Sequence, residues 1–165
     1  MAEDINIIRL KSRAITKTPF HQSWQFRVEI EDYPHGADDF DLFVKDITYG
    51  PIEIETDALK IGFHTLTFPA GAAPVGISMT MRDHQDQRVY GFCNEWSDKI
   101  INDDGTVNLP SRYLKKWTRY AIMEDSSEKM VDVWEVFLTQ VGDVSESRDE
   151  PGIMEFPVTL IQFYC

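Results

Sequence analysis

The sequence has 165 residues, a length that fits one domain able to bury its own hydrophobic core. Its net charge of −12 argues against sequence-specific nucleic-acid binding and against docking to an anionic membrane, because both require basic surface. No apolar run approaches the roughly 20 residues that span a bilayer, and the first residues lack the pattern of a secretory signal, so we expect a soluble protein made in a cytoplasm.

Residues 1–22 are predicted to form an N-terminal arm ahead of a single β domain over residues 23–165. The arm combines branched apolar residues with the one basic cluster of the sequence: Ile5, Ile7, Ile8, Leu10, Lys11, Arg13 and Lys17. Two interpretations remain open, a mobile tail and an arm laid on a neighbouring subunit.

Period-two alternation predicts the strands of the first half of the chain. Strands are expected at 24–30, 42–48, 52–57 and 77–82, with a brief strand at 64–68 between two loops. The run Asp38-Asp39-Phe40-Asp41 has no ligand spacing around it, and a solvated loop is a better interpretation than a metal site.

Two strand faces carry unusually dense acid. Glu53, Glu55 and Asp57 share one face, and Glu29 and Glu31 share another. Because like charges on one face repel one another, such faces favour solvent or an open aqueous space.

One amphipathic helix is predicted over residues 84–101. Apolar residues at steps of three and four form its buried stripe: Val89, Phe92, Cys93, Trp96 and Ile100. Asp83 and Asp86 stand where a first helical turn requires acceptors, and the stop follows at 102–105.

The last three strands are expected at 113–124, 130–141 and 153–164, the first two forming a hairpin. The second and third of them are apolar on both faces, which exceeds what one sheet of a lone sandwich can bury. We therefore expect a subunit interface at these strands, formed by Trp134, Val136, Leu138, Ile161 and Phe163.

The sequence offers no catalytic constellation, metal site or cofactor motif. Its four histidines are scattered, and no nucleophile elbow, phosphate loop or dinucleotide fingerprint occurs. Cys93 and Cys165 lack metal-ligand spacing, which leaves two unpaired thiols or a disulfide within or between chains. The tryptophans allow a carbohydrate-binding platform, but Trp24, Trp96 and Trp134 are better interpreted as core or interface anchors.

The order of elements resembles the tail tube proteins of contractile-tailed bacteriophages, relatives of type VI secretion tube proteins. Four segments carry the resemblance: WQFRVEI at 24–30, ISMTMRD at 77–83, FCNEW at 92–96 and EFPVTL at 155–160. The resemblance implies an antiparallel β-sandwich or barrel with one helix, and a non-enzymatic structural protein of the virion tail that is assembled in the host cytoplasm.

That family forms stacked hexameric rings through which DNA passes without specific binding, inside a sheath and with baseplate and tape-measure proteins. By resemblance, the acids named above would line the bore, where carboxylates repel phosphate. The excursion at 47–63 would stack one ring on the next through Ile47, Tyr49, Pro51, Leu59, Ile61 and Phe63. A tube-initiating baseplate protein or a tail terminator of the same fold remains an alternative, as does a carbohydrate-binding module.

Overall fold

The computed structural model describes residues 2–149 and 151–164. Its helices are α1 (Ala2–Lys17), α2 (Ala37–Phe43), α3 (Arg88–Ile100) and α4 (Pro110–Tyr113). Its strands are β1 (Phe26–Ile30), β2 (Val44–Tyr49), β3 (Ile54–Ile61), β4 (His64–Ala72), β5 (Gly76–Arg82), β6 (Lys115–Ile122), β7 (Glu128–Val141) and β8 (Glu155–Gln162).

Six strands form one antiparallel sheet in the order β1-β6-β7-β8-β5-β2, and β3 pairs with β4 as a separate antiparallel hairpin. The six-stranded sheet is curled. The curl places the ring of Tyr49, on edge strand β2, 6.0 Å from the Trp117 ring and 5.6 Å from the Trp134 ring. At the other edge, the Asp41 carboxylate of α2 accepts a 2.8 Å hydrogen bond from the backbone N–H of Val28 in β1. The mainly β, antiparallel fold class is confirmed.

The core lies on the concave face of this sheet. Alternate residues of neighbouring strands share that face through their register, as Met79 does with Val158 and Leu138 does with Leu160. The largest fully buried side chains are Trp96, Trp117, Phe156, Ile77, Met79, Met81, Leu160, Val28, Val89 and Val136. The Trp117 indole N–H also points at the Met79 sulfur, 3.4 Å away, so its polar atom has a partner in the core.

Helix α3 covers the core with its apolar stripe, but it begins four residues later than predicted. The Asp83 carboxylate accepts hydrogen bonds from the backbone N–H groups of Val89 (3.0 Å) and Tyr90 (2.9 Å), which satisfies two donors of the first turn. Gln87 is in the left-handed region at φ 54°, so residues 84–87 form a turn before the helix. Asp86 instead holds the Arg88 guanidinium at 2.8 Å.

Helices missed by the sequence pattern account for three corrections. The expectation of a single helix is wrong, because α1, α2 and α4 are also helical. The predicted loop at 38–41 is α2, whose Phe40 ring is buried against the rings of Tyr33 (5.3 Å) and Phe92 (6.5 Å). Residues 42 and 43 therefore belong to α2, and the strand that follows begins at Val44.

The predicted brief strand at 64–68 is also wrong in length and context. Strand β4 runs to Ala72 and pairs with β3 along its whole length, with Gly62 at φ 63° in the connecting turn. Because glycine adopts left-handed backbone angles without a steric penalty, Gly62 permits this tight turn. The segment predicted as loops is therefore a continuous hairpin.

Candidate assembly surfaces

The β3–β4 hairpin is uncovered on both of its faces. Every residue of both strands is exposed, and neither strand pairs with the six-stranded sheet. A two-stranded hairpin is at best marginally stable in water unless another element packs on it. The hairpin thus has the properties of a segment that is completed by contact with another surface.

One face of the hairpin is apolar. Cross-strand register places Leu59 opposite Leu66 and Asp57 opposite Phe68 on this face, next to Ile61. The four apolar side chains are between 42% and 60% exposed. The other face is mainly polar and carries Ile54, Thr56, Ala58, Lys60, Thr65 and Thr67. We call the first of these the apolar hairpin face.

The acids predicted to line a bore occupy two different places. Glu55 and Asp57 lie in β3 and Glu53 directly precedes it, all exposed on the hairpin rather than on the six-stranded sheet. Glu29 and Glu31 belong to the convex side of β1 and its end. The assignment of either group to a lumen stays a prediction.

A dense ion cluster fixes the convex side of β1. The Arg27 guanidinium lies within 2.7 Å of both Asp38 and Glu128 and within 2.8 Å of Glu29. Burial lowers the pKa of Arg27, but the hydrogen bond to Glu128 and the three carboxylates outweigh burial and raise it. Glu29 also accepts a 3.1 Å hydrogen bond from the Tyr120 hydroxyl. This acid therefore has partners within its own chain.

Helix α1 presents a second uncovered apolar surface. Ile7, Leu10 and Ala14 recur at three- and four-residue steps, with Ile8 and Ile15 beside them. These four large apolar side chains are 50% to 65% exposed. The predicted arm is thus a helix with an apolar stripe, and its contact with a neighbouring subunit stays a prediction.

The convex face of β7 and β8 is a third apolar surface, and it corrects part of the predicted interface. Val136 and Leu138 lie in the core, and Trp134 stacks on Trp117 at 5.4 Å on the same concave side. Val136 and Leu138 are therefore wrong as interface residues, since neither reaches the surface. The convex face carries Ile161, half-buried, and Phe163, 43% exposed.

Val131 and Val133 are exposed near that convex face and are functional candidates that sequence reasoning left out. The alternation of β7 separates its two faces, but it does not tell which of them meets the core. Only the position of α3 decides that, and it lies over the Trp134 side.

The proposed stacking residues also divide into two groups. Ile47 and Tyr49 lie in β2 and are half-buried against the core, so their part in ring stacking stays a prediction. Pro51, Leu59, Ile61 and Phe63 are exposed, and Phe63 stands at the tip of the hairpin without side-chain cover. After β2 every residue of the excursion is exposed.

A groove of about 640 Å³ lies between the two edges of the curled sheet, lined by Trp24, Asp41, Lys45 and Tyr49 among others. Trp24 is 70% exposed, whereas Trp96 and Trp117 are buried and Trp134 is stacked on Trp117. A sugar-binding platform needs accessible ring faces, and Trp24 is the one tryptophan that offers them.

The cysteines, metal binding and membrane spans are the remaining features considered from the sequence. Cys93 is buried, and burial, with the nearby Asp83 charge, raises the pKa of its thiol to about 12. Cys165 lies outside the described residues. Among the residues that the structure describes, no three His, Cys, Asp or Glu side chains are placed to hold a metal ion, and no helix is long and apolar enough to cross a membrane.

No protein-family model and no curated protein matches the chain. Its fold is similar to solved structures of contractile injection systems. A chain from the sheath/tube terminator of an extracellular contractile injection system, PVC, in the extended state is 15% identical over 88% of this chain and 94% of its own, with a TM-score of 0.61.

Two further structures share the fold. A chain from the PVC sheath-tube complex is 15% identical over 92% of both chains, with a TM-score of 0.60. A chain from the anti-feeding prophage tube-terminating cap is 14% identical over 88% of both, with a TM-score of 0.63. At these identities the similarity establishes the fold, which is tail-tube-like.

Proposed function

We propose that this chain is a structural, non-enzymatic subunit of a contractile tail or injection system, and that copies of it assemble into a hexameric ring of the inner tube. The observation that carries the proposal is the apolar hairpin face, which is exposed along the whole of β3 and β4 in a single chain. The shared fold supports the same class of role, because the similar structures come from a sheath/tube terminator, a sheath-tube complex and a tube-terminating cap.

The hairpin suits contact between rings. It is separate from the six-stranded sheet, and its tip carries the exposed Phe63. Burial of apolar surface is the main driving force of protein association, at about 25 cal/mol per Å². A neighbour that covers the apolar hairpin face would thus gain free energy at a site where the single chain leaves apolar area in water.

Two roles fit this assembly, the shaft of the tube and its terminator. The similar structures include a sheath/tube terminator and a tube-terminating cap beside a sheath-tube complex. A shaft subunit must stack on both sides of its ring, whereas a terminator stacks on one side and closes the other. The two roles therefore differ in whether purified rings polymerise.

Further parts of the proposal concern the tube's contents and neighbours. A net charge of −12 suits a bore through which DNA passes without binding, because carboxylates offer phosphate no attractive contact. Glu53, Glu55 and Asp57, or Glu29 and Glu31, are the proposed lining. Sheath, baseplate and tape-measure proteins are the proposed partners, in a virion tail assembled in the host cytoplasm.

Negative-stain electron microscopy of the purified chain tests the proposal. We expect rings about 100 Å across, the width of six small domains around a channel. Stacked filaments would identify a shaft subunit, and isolated single rings a terminator. Particles no larger than one chain at every concentration would contradict the assembly role.

A further inference from the structure

Two uncovered amphipathic elements of the chain have complementary surfaces. Both strands of the hairpin are exposed along their length, and packing against a helix is one of the ways in which a two-stranded hairpin becomes stable. Helix α1 has 16 residues and an exposed apolar stripe, and a helix of this length draws most of its stability from packing such a stripe. Each element therefore lacks what the other supplies.

The two elements also match in length. Sixteen residues of α helix are about 24 Å long. Strands of eight and nine residues are about 27 Å long. The α1 stripe can thus follow the hairpin over nearly its full length, rather than cross it at one point.

Charge complementarity fixes how the two surfaces meet. On a helical projection Lys11 falls inside the apolar stripe, four residues from both Ile7 and Ile15. Glu55 and Asp57 lie on the apolar hairpin face, toward its base. The one cation of the helix stripe therefore has two acids to meet on the hairpin.

We propose that α1 of one copy packs along the apolar hairpin face of a second copy, with Lys11 placed toward Glu55 and Asp57; this rests on the proposed ring assembly, and of the two proposed linings of the bore it favours Glu29 and Glu31. In the single chain both surfaces are exposed, so the cover comes from another molecule. A membrane is a poorer occupant for α1. The helix carries four basic and two acidic residues, so the rest of this chain of net charge −12 carries −14. That charge opposes approach to an anionic membrane surface.

Disulfide trapping between differently sized chains tests the contact. All variants carry Cys165→Ser, and native Cys93 is buried. A tagged Leu10→Cys chain is mixed with an untagged Leu66→Cys chain under mild oxidation, and we expect a mixed-size disulfide dimer on a non-reducing gel. The matched control replaces Leu66→Cys by Thr67→Cys on the polar hairpin face, where we expect loss of that band.

A charge exchange tests the register. Lys11→Glu should weaken the mixed-size band, and adding Asp57→Lys to the hairpin partner should restore it. All of these positions are exposed, so circular dichroism should show an unchanged fold.

Four outcomes would overturn the inference. Equal bands with Leu66→Cys and Thr67→Cys would mean random collision. A disulfide that forms only within a doubly substituted chain would mean that α1 folds onto its own hairpin. Rings in the microscope without a mixed-size band would refute this contact and leave the ring assembly standing, whereas single chains without a band would refute both.

Discussion

Replacing the cross-strand pair Leu59 and Leu66 by serine should impair assembly and leave the fold of the single chain intact. The two side chains are 52% and 55% exposed in the single chain, so about half of each remains to be buried by a neighbour. Complete burial of a leucine side chain contributes about 1.5–3 kcal/mol, so half-burial contributes about 1 kcal/mol each. The pair should then stabilise each subunit contact by about 2 kcal/mol, which is roughly a 30-fold change in affinity.

Sedimentation velocity over a concentration series measures this effect. We expect the concentration for half-maximal assembly to rise by about 30-fold, while the free energy of unfolding of the single chain changes by less than about 0.5 kcal/mol, as for other exposed sites. The matched control is Ala58→Ser with Thr67→Ser, the next cross-strand pair on the polar face. An unchanged assembly concentration, or a loss of folding stability as large as that of a core substitution, would refute the assignment of this face to a neighbour.

Four further predictions follow from the core and its helix. Asp83→Ala should lower the free energy of unfolding by about 1–2 kcal/mol, measured by denaturant titration, because two N–H groups of α3 lose their acceptor. Leu160→Ala should cost about 2–5 kcal/mol in the same assay, because this fully buried side chain leaves a cavity. The Cys93 thiol should resist maleimide at pH 8 in the folded chain and react on unfolding, since burial raises its pKa to about 12; rapid labelling of the folded Cys165→Ser chain would contradict its burial. The hydrogen bond from Lys45 and, to a smaller extent, the one from Arg82 lower the pKa of Glu155 from 4.5. The contribution of the Glu155 carboxylate to stability is therefore complete above pH 4.5 and is lost as the pH falls through the lowered pKa. Glu155→Gln should flatten the acid side of the stability profile.

The sequence predicted the core of this fold well because burial leaves a periodic record. The alternation Ile77, Met79 and Met81 and the helix stripe from Val89 to Trp96 depend on two simple periods, and both segments lie where they were expected. The start of α3 was predicted too early because its capping residue, Asp83, is not adjacent to the first turn. Asp83 reaches past four residues of turn to cap Val89, a geometry that no spacing rule describes.

The exposed elements were predicted less well for a physical reason. Apolar residues in α1 and the hairpin serve no core within the chain, so their patterns carry no sign of what covers them. The four-residue steps in α1 and the cross-strand pairing of Leu59 with Leu66 were available as signals. The contact of Tyr49 with Trp117 was not predicted either, because it depends on the curl of the whole sheet.

The mass of the purified wild-type particle tests the account most directly, because the proposed ring assembly requires copies of the chain to associate in a fixed number. Mass photometry should report about 115 kDa, six times the 19.1 kDa chain, or regular multiples of that mass if rings stack. A single species of 19.1 kDa that persists as the concentration is raised would contradict it.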